Sequence, residues 1–148
     1  MAAKHSPIIM FREVTRDSFP VPFIEVTAGR PKAKKTVDQV EWIIVNHTSI
    51  DIEVAVVDFY ADKGGTAFKS GFVPEPSPTI PKRNAAGRPG TGIIGSIKDS
   101  NGNVVNRIDT DGDVAIYKYT VLARTAAVAP AGAGPWFLVR DPELEIEP

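Results

Sequence analysis

The chain has 148 residues, 43% of them apolar and 24% charged, with a formal net charge of -1. That is enough for one domain with a real core and too little for two, and the near-neutral balance gives no global field for nucleic acid or an anionic membrane. There is no cysteine, which removes disulfides, thiolate metal sites and cysteine nucleophiles together and fits a reducing compartment.

The first residues, Met-Ala-Ala-Lys-His-Ser-Pro, lead into only four apolar ones, Ile8 to Phe11, before Arg12 and Glu13. That is too short for a signal-peptide core, and no run approaches membrane-spanning length, so the expected location is cytoplasmic. Residues 7–14 read as a short edge strand. Residues 19–27 carry Val21, Phe23, Ile24 and Val26. Pro20 and Pro22 remove ladder donors there, so pairing should begin near Phe23 or the strand should lie at an edge. Arg30, Lys32, Lys34 and Lys35 then fall in a basic loop with no acid before Asp38.

Residues 40–60 are the most apolar stretch. Val40, Trp42 and Ile44 share one strand face, and Ile50, Ile52, Val54 and Val56 share another. A period of two marks strands with one buried side. Asn46-His47-Thr48-Ser49 between them is turn chemistry, because short polar side chains bond their own backbone. The pattern predicts a central hairpin on which the rest of the chain packs. A turn follows at residues 61–65, then a possible strand over 66–73.

Four prolines at 74, 76, 78 and 81 predict extended polyproline-like backbone. Lys82, Arg83 and Arg88 make a second basic patch, and residues 87–92 read as a flexible loop. Residues 93–98 and 104–108 form a predicted hairpin around Asn101-Gly102, since Asn-Gly tolerates positive φ. Residues 114–123 are a strong strand in which Ile116, Lys118 and Thr120 alternate with Tyr117, Tyr119 and Val121. Residues 126–135 are a low-complexity Ala, Val, Pro and Gly loop. A last strand alternates Leu144 and Ile146 with Glu143, Glu145 and Glu147. No segment has a helical period. Seven to nine short strands with Gly/Pro turns predict a single all-β domain over residues 1–148, an antiparallel Greek-key β-sandwich, cupredoxin-like or immunoglobulin-like.

The candidate motifs are weak. Gly90-Thr91-Gly92-Ile93-Ile94-Gly95 spells a dinucleotide fingerprint, but that motif needs a strand before it and a helix after it. Asp109, Asp111 and Asp113 look like the start of a calcium loop, yet the EF-hand glycine and glutamate positions hold Val114 and Thr120. A loose surface calcium site is the remaining possibility. His47 near Ser49 and Asp51 suggests a triad, but a turn does not aim such a relay. Asn46-His47-Thr48 also spells a glycosylation sequon. No aromatic residue interleaves with the run from Lys32 to Lys35, which argues against single-stranded nucleic acid. Tyr117 and Tyr119 suit core packing with a hydroxyl at the rim better than a binding platform.

Three stretches together resemble the cupredoxins, the plastocyanin-like copper sandwiches. Residues 38–46, Asp-Gln-Val-Glu-Trp-Ile-Ile-Val-Asn, look like the strand that ends in Asn before the first copper histidine. Tyr117-Lys118-Tyr119-Thr120-Val121 looks like the Tyr-x-Tyr/Phe-x-Cys strand, and the alternating last strand completes the likeness. The ligands do not carry over. Val121 stands at the copper cysteine, and Asp51, Ile52 and Glu53 stand where a ligand histidine would fall. Blue copper needs two His and one Cys, so the resemblance implies a metal-free version with no cofactor.

Composition and motifs therefore lead to a non-catalytic binding or assembly module whose partner is another protein or a second copy. Neither nucleic acid nor membrane is expected. The candidate interaction residues are Arg30, Lys32, Lys34, Lys35, Lys82, Arg83 and Arg88, with an acidic segment over residues 141–147 as the complementary patch for self-association. The alternative is a small-molecule binder or carboxylate-based enzyme, which would need Asp51, Glu53, Asp109, Asp111 and Asp113 to converge in the loops at one end.

Overall fold

A computed structural model describes residues 3–16, 19–26, 30–69, 77–95, 97–98, 101, 104–105, 107–126, 137–140 and 142–148. Among the described residues every regular element is a strand. In chain order they are β1 (Lys4–His5), β2 (Ile8–Arg16), β3 (Phe19–Val26), β4 (Lys32–Lys34), β5 (Gln39–Val40), β6 (Trp42–Asn46), β7 (Ile52–Tyr60) and β8 (Ser77–Ile80). Then follow β9 (Gly90–Ile94), β10 (Ile97–Lys98), β11 (Val104–Val105), β12 (Ile108–Asp109), β13 (Ala115–Thr125), β14 (Phe137–Arg140) and β15 (Glu143–Glu147). No helix among them is long and apolar enough to cross a membrane.

Two sheets share the core. One is four-stranded, in the order β3-β2-β6-β9; the other is six-stranded, in the order β4-β15-β13-β7-β8, with β14 also paired to β13. Two small sheets, β1-β5-β12 and β10-β11, complete the set. Alternation builds the interior. Trp42 and Ile44 point inward from β6, Tyr117, Tyr119 and Val121 from β13, and Leu144 and Ile146 from β15, all essentially buried. Trp42 sits at the centre. Its Nε1 donates to Tyr119 Oη at 3.1 Å, and its ring lies 5.7 Å from Phe59 and 6.4 Å from Phe68. Burial pushes the hydroxyl pKa of Tyr119 up.

The predicted central hairpin does not form. β6 pairs with β2 and β9, whereas β7 pairs with β13 and β8. The two apolar stretches therefore face each other across the core instead of lying side by side. A period of two says that a strand has one buried face, but not which sheet it joins. The connecting segment is a crossing, locked by its own polar groups. Asn46 Nδ2 donates to the carbonyls of Ile50 at 2.9 Å and Ile80 at 3.1 Å. Its Oδ1 accepts from the Thr48 amide at 2.9 Å and hydroxyl at 2.7 Å. Ile50, expected to share the buried face, is exposed.

β7 also changes face along its length. Its pairing with β13 shifts register between Lys118↔Tyr60 and Thr120↔Val57, and Asp58 there has φ 58. This bulge flips the alternation, so Phe59 packs on the core and Tyr60 faces outward.

Other expectations change as well. The sheets are mixed, because β1·β5, β2·β6 and β15·β4 run parallel. Among the described residues there are fifteen strand segments and not seven to nine. Several are pieces of longer paths, such as β9 and β10, which are separated where Gly95 has φ 115. β2 is interior; β3 is the edge, and its prolines pair with Glu13 and Thr15 along the whole ladder. Residues 66–69 are not strand, and residues 70–73 of that expected strand lie outside the described residues. Residues 77–80 of the proline run form β8 on the sheet edge, and residues 74–76 lie outside the described set, as do 127–135 of the low-complexity loop. Within the expected loop 87–92, Gly90 begins β9, packed so closely that a Cβ there would fall 1.7 Å from the Pro81 carbonyl oxygen. Of the hairpin expected over 93–98 and 104–108, Ile97↔Val105 and Lys98↔Val104 are paired, whereas Ile93 and Ile94 pair with β6 and Ile108 with β5; residues 102–103 of its turn lie outside the described residues.

Candidate interaction surface

β13 is the ruler for placing the candidate residues. Its 11 residues span roughly 35 Å at about 3.3 Å per residue. β15 and β4 lie against its Ala115 end, since Ala115 pairs with Ile146 and Ile146 with Ala33. The start of β7 and the end of β8 lie at its Thr125 end, through Thr125↔Ile52 and Ile52↔Ile80.

The first basic group belongs to the Ala115 end, and the charge of its Arg30 is answered within the chain. Lys32 and Lys34 lie on β4, in register with Glu145 and Glu147 of β15. Arg30 Nη1 lies 3.0 Å from Glu143 and its Nε 3.3 Å from Glu145. The Glu145 Oε2 that Arg30 reaches is a buried atom without a hydrogen bond of its own, so this ion pair is its compensation. The Lys35 amide donates to Glu147 O at 2.8 Å. The basic and acidic segments, read from sequence as patches for a partner, are neighbouring strands of one sheet.

The second basic group sits at the other end, on the connection from β8 to β9. The Lys82 amide donates to Asp51 Oδ1 at 2.8 Å, and Arg83 Nη1 donates to the His47 carbonyl at 2.7 Å. Asn84 organises the tip: its Oδ1 accepts from the amides of Ala86 and Arg88, both at 3.0 Å. The side chains of Lys82 and Arg88 are exposed. The two basic groups do not form one surface.

The candidate carboxylates do not converge either. Asp51 and Glu53 are at the Thr125 end, where Glu53 pairs with Arg124 at 2.6 Å. Asp109, Asp111 and Asp113 are at the Ala115 end, each holding a loop. Gln39 donates to Asp109 at 3.0 Å, and the Lys69 amide to Asp111 at 2.7 Å. Asp113 accepts from the Thr66 amide at 3.0 Å and from Lys69 Nζ at 2.9 Å. Lys69 holds the Asp113 carboxyl below its ordinary range, and Asp113 raises the Lys69 ammonium in return. No group of three or more His, Cys, Asp or Glu among the described residues could hold a metal ion. At the positions the cupredoxin likeness singles out, Val121 and Ile52 are buried in the core. Asn46 of the sequon is fully buried with its amide bonded twice. Tyr117 is buried and donates its hydroxyl to the Asp113 carbonyl at 2.8 Å.

Two features escaped the sequence reading. Large apolar side chains are exposed together at the Ala115 end: Val114 at 47%, Ile116 at 45%, Tyr60 at 53% and, on the nearby turn, Val37 at 43%. Tyr60 pairs with Lys118, two residues from Ile116 on the same face of β13, so the outer side of the sheet carries exposed apolar side chains set among Lys118, Glu143 and Glu145.

The second feature is a pair of almost buried acids, Asp38 at 5% and Glu41 at 4% exposure. Asp38 takes the Lys34 amide at 2.8 Å, the Ala3 amide at 3.0 Å and His5 Nε2 at 3.0 Å. Glu41 takes Lys4 Nζ and the Ser6 hydroxyl, each at 3.2 Å. These bonds, the Lys34 amide foremost and then His5, bring the Asp38 carboxyl down to about 2. An acid every third residue beside a strand is the only sequence trace of this clasp, and nothing in it names residues 3–6 as the partner.

No family model matches the chain, and no curated protein is similar to it.

Proposed function

We propose that the chain is a metal-free, cupredoxin-like Greek-key β-sandwich that works as a non-catalytic assembly module, joining copies of itself at the Ala115 end of β13. The supporting fold features are the two sheets on one core and the chain's repeated crossing between them, from β3 to β4, β6 to β7 and β8 to β9. The observation that carries the function is the exposure of Val114, Ile116 and Tyr60 close together at the Ala115 end of β13. A solvated sheet face is normally polar, and clustered apolar exposure marks contact surfaces. The ionisable groups beside it, Asp113 with Lys69 and Arg30 with Glu143 and Glu145, are engaged in holding the fold.

Light scattering on the purified chain tests this. The expected mass is a multiple of 15.9 kDa. The double variant Ile116→Lys/Tyr60→Lys should return one chain with an unchanged circular dichroism spectrum. A wild-type mass of one chain at every concentration would overturn the assembly reading.

A further inference from the structure

The clasp at Asp38 and Glu41 is one side of a strand-binding groove. Residues 3–11 run parallel to residues 39–47, and the amides of Gln39, Glu41, Ile43 and His47 donate to the carbonyls of Ala3, His5, Pro7 and Phe11 at 2.8–3.0 Å. The first part of that ladder, β1 on β5, differs from the rest. β2 continues on β6 and is held by the core through Ile9 and Phe11. β1 has no core side chain: its Lys4 is exposed and its His5 half-buried. What holds it is the backbone ladder and the two acids. Main-chain bonds give affinity and side-chain sockets give selectivity, as in strand addition to a sheet edge.

The groove cannot stand empty at low cost. Without its strand, Asp38 would lose the Ala3 amide and His5, Glu41 would lose Lys4 and the Ser6 hydroxyl, and the amides of Gln39 and Glu41 would lose their acceptors. Pro7 lies between β1 and β2 and has no N–H, so the junction is held in the ladder only through its carbonyl, which accepts from the Ile43 amide. The segment that can leave is thus short, polar and hinged, and the site it leaves demands an identical replacement.

From these observations we infer that the groove beside β5 is a strand-exchange site, filled in the assembly by residues 3–6 of a second copy. This rests on the assembly reading above and names its partner segment. Lys4 of one copy then pairs with Glu41 of the other, and His5 with Asp38, with Pro7 as the hinge. Reciprocal exchange gives a closed two-fold dimer.

The absence of native cysteine makes a direct test clean. Lys4 and Gln39 are register partners, and directly opposed strand residues fall within disulfide reach. Full-length Lys4→Cys and Gln39→Cys proteins are prepared separately, mixed in equal amounts and oxidised mildly. Exchange predicts mixed 4–39 disulfide dimers at least about tenfold over the 4–4 and 39–39 products, because docking raises the effective thiol concentration for that pair alone. Mixed dimers no more abundant than the like pairs, or no covalent dimer, would overturn it. The chain carrying both substitutions must close within itself when dilute; if it does not, β1 is not seated on β5 and the inference also falls. A native mass above one chain with no 4–39 excess would leave the assembly reading standing and remove strand exchange.

Discussion

Asn46 shows how much one polar side chain decides. It is fully buried and makes four hydrogen bonds across the crossing between the sheets. Asn46→Asp keeps the size but turns the donor that serves Ile50 O and Ile80 O into an acceptor. A buried carboxylate against two carbonyls should destabilise by about 3 kcal/mol or more, read as a lower urea midpoint. Asn46→Ser, which can keep part of the network, should cost less; equal costs would mean the network is not what holds the crossing. Asp58 works in the opposite sense. It is exposed and held at φ 58 to make the bulge. Glycine adopts that region freely, so Asp58→Gly should raise stability by roughly 0.5–1 kcal/mol at constant m-value. A loss would show that the carboxylate has a bond worth more than the strain. The sequence announced the turn at residues 46–49 through its side-chain types, but not the bulge at 58. Nothing local marks an Asp as left-handed, and only the need to bury Phe59 after Val56 explains it.

Among the elements, strands with one buried face were the legible part. The alternations along β6, β13 and β15 match the burial found, because hydrophobic period and pleat are the same quantity. Pairing was not legible. The hairpin inferred for residues 40–60 became two strands in different sheets, since neighbours in a ladder are chosen by long-range packing. β1 was invisible for the reverse reason: it is held by ionic and backbone contacts without an apolar signature. Those contacts give it a pH dependence. The Asp38 carboxyl falls from 3.8 to about 2 in the fold. A depressed carboxyl contributes stability that is complete above the unfolded value and is lost as pH falls through the folded one. The Lys34 amide is the largest cause of that shift and His5 and Ala3 of β1 supply the next part, so β1 should stay docked above pH 4 and loosen as pH falls toward 2. Hydrogen exchange at the Gln39 and Glu41 amides would report it, with the core amides of β13 still protected. Asp38→Asn should loosen β1 at neutral pH and flatten that acid transition. If the two amides of the native chain keep their protection at pH 2, the acid does not hold the strand.

At the scale of the molecule, charge segregation along the sequence turned out to be charge pairing in space. The run from Arg30 to Lys35 and the acids of β15 are separated by more than a hundred residues in the chain, yet Arg30 bridges Glu143 and Glu145 and β4 lies beside β15. Such pairs are partly exposed and individually worth little, about 0–1 kcal/mol. They set strand order and cover an edge with lysines against further pairing. An assembly driven by these two segments would have to break them first. The exposed apolar residues ask for no such exchange, and salt does not screen their burial. Raising salt from low to high ionic strength should thus leave the assembly mass unchanged or increase it, while Ile116→Lys lowers it. The two interfaces respond with opposite signs, so light scattering across a salt series separates them. A mass that falls steadily with salt would return the contact to the exposed cations, and Lys82→Glu with Arg88→Glu, at the far end of β13, would then be the substitutions that abolish it.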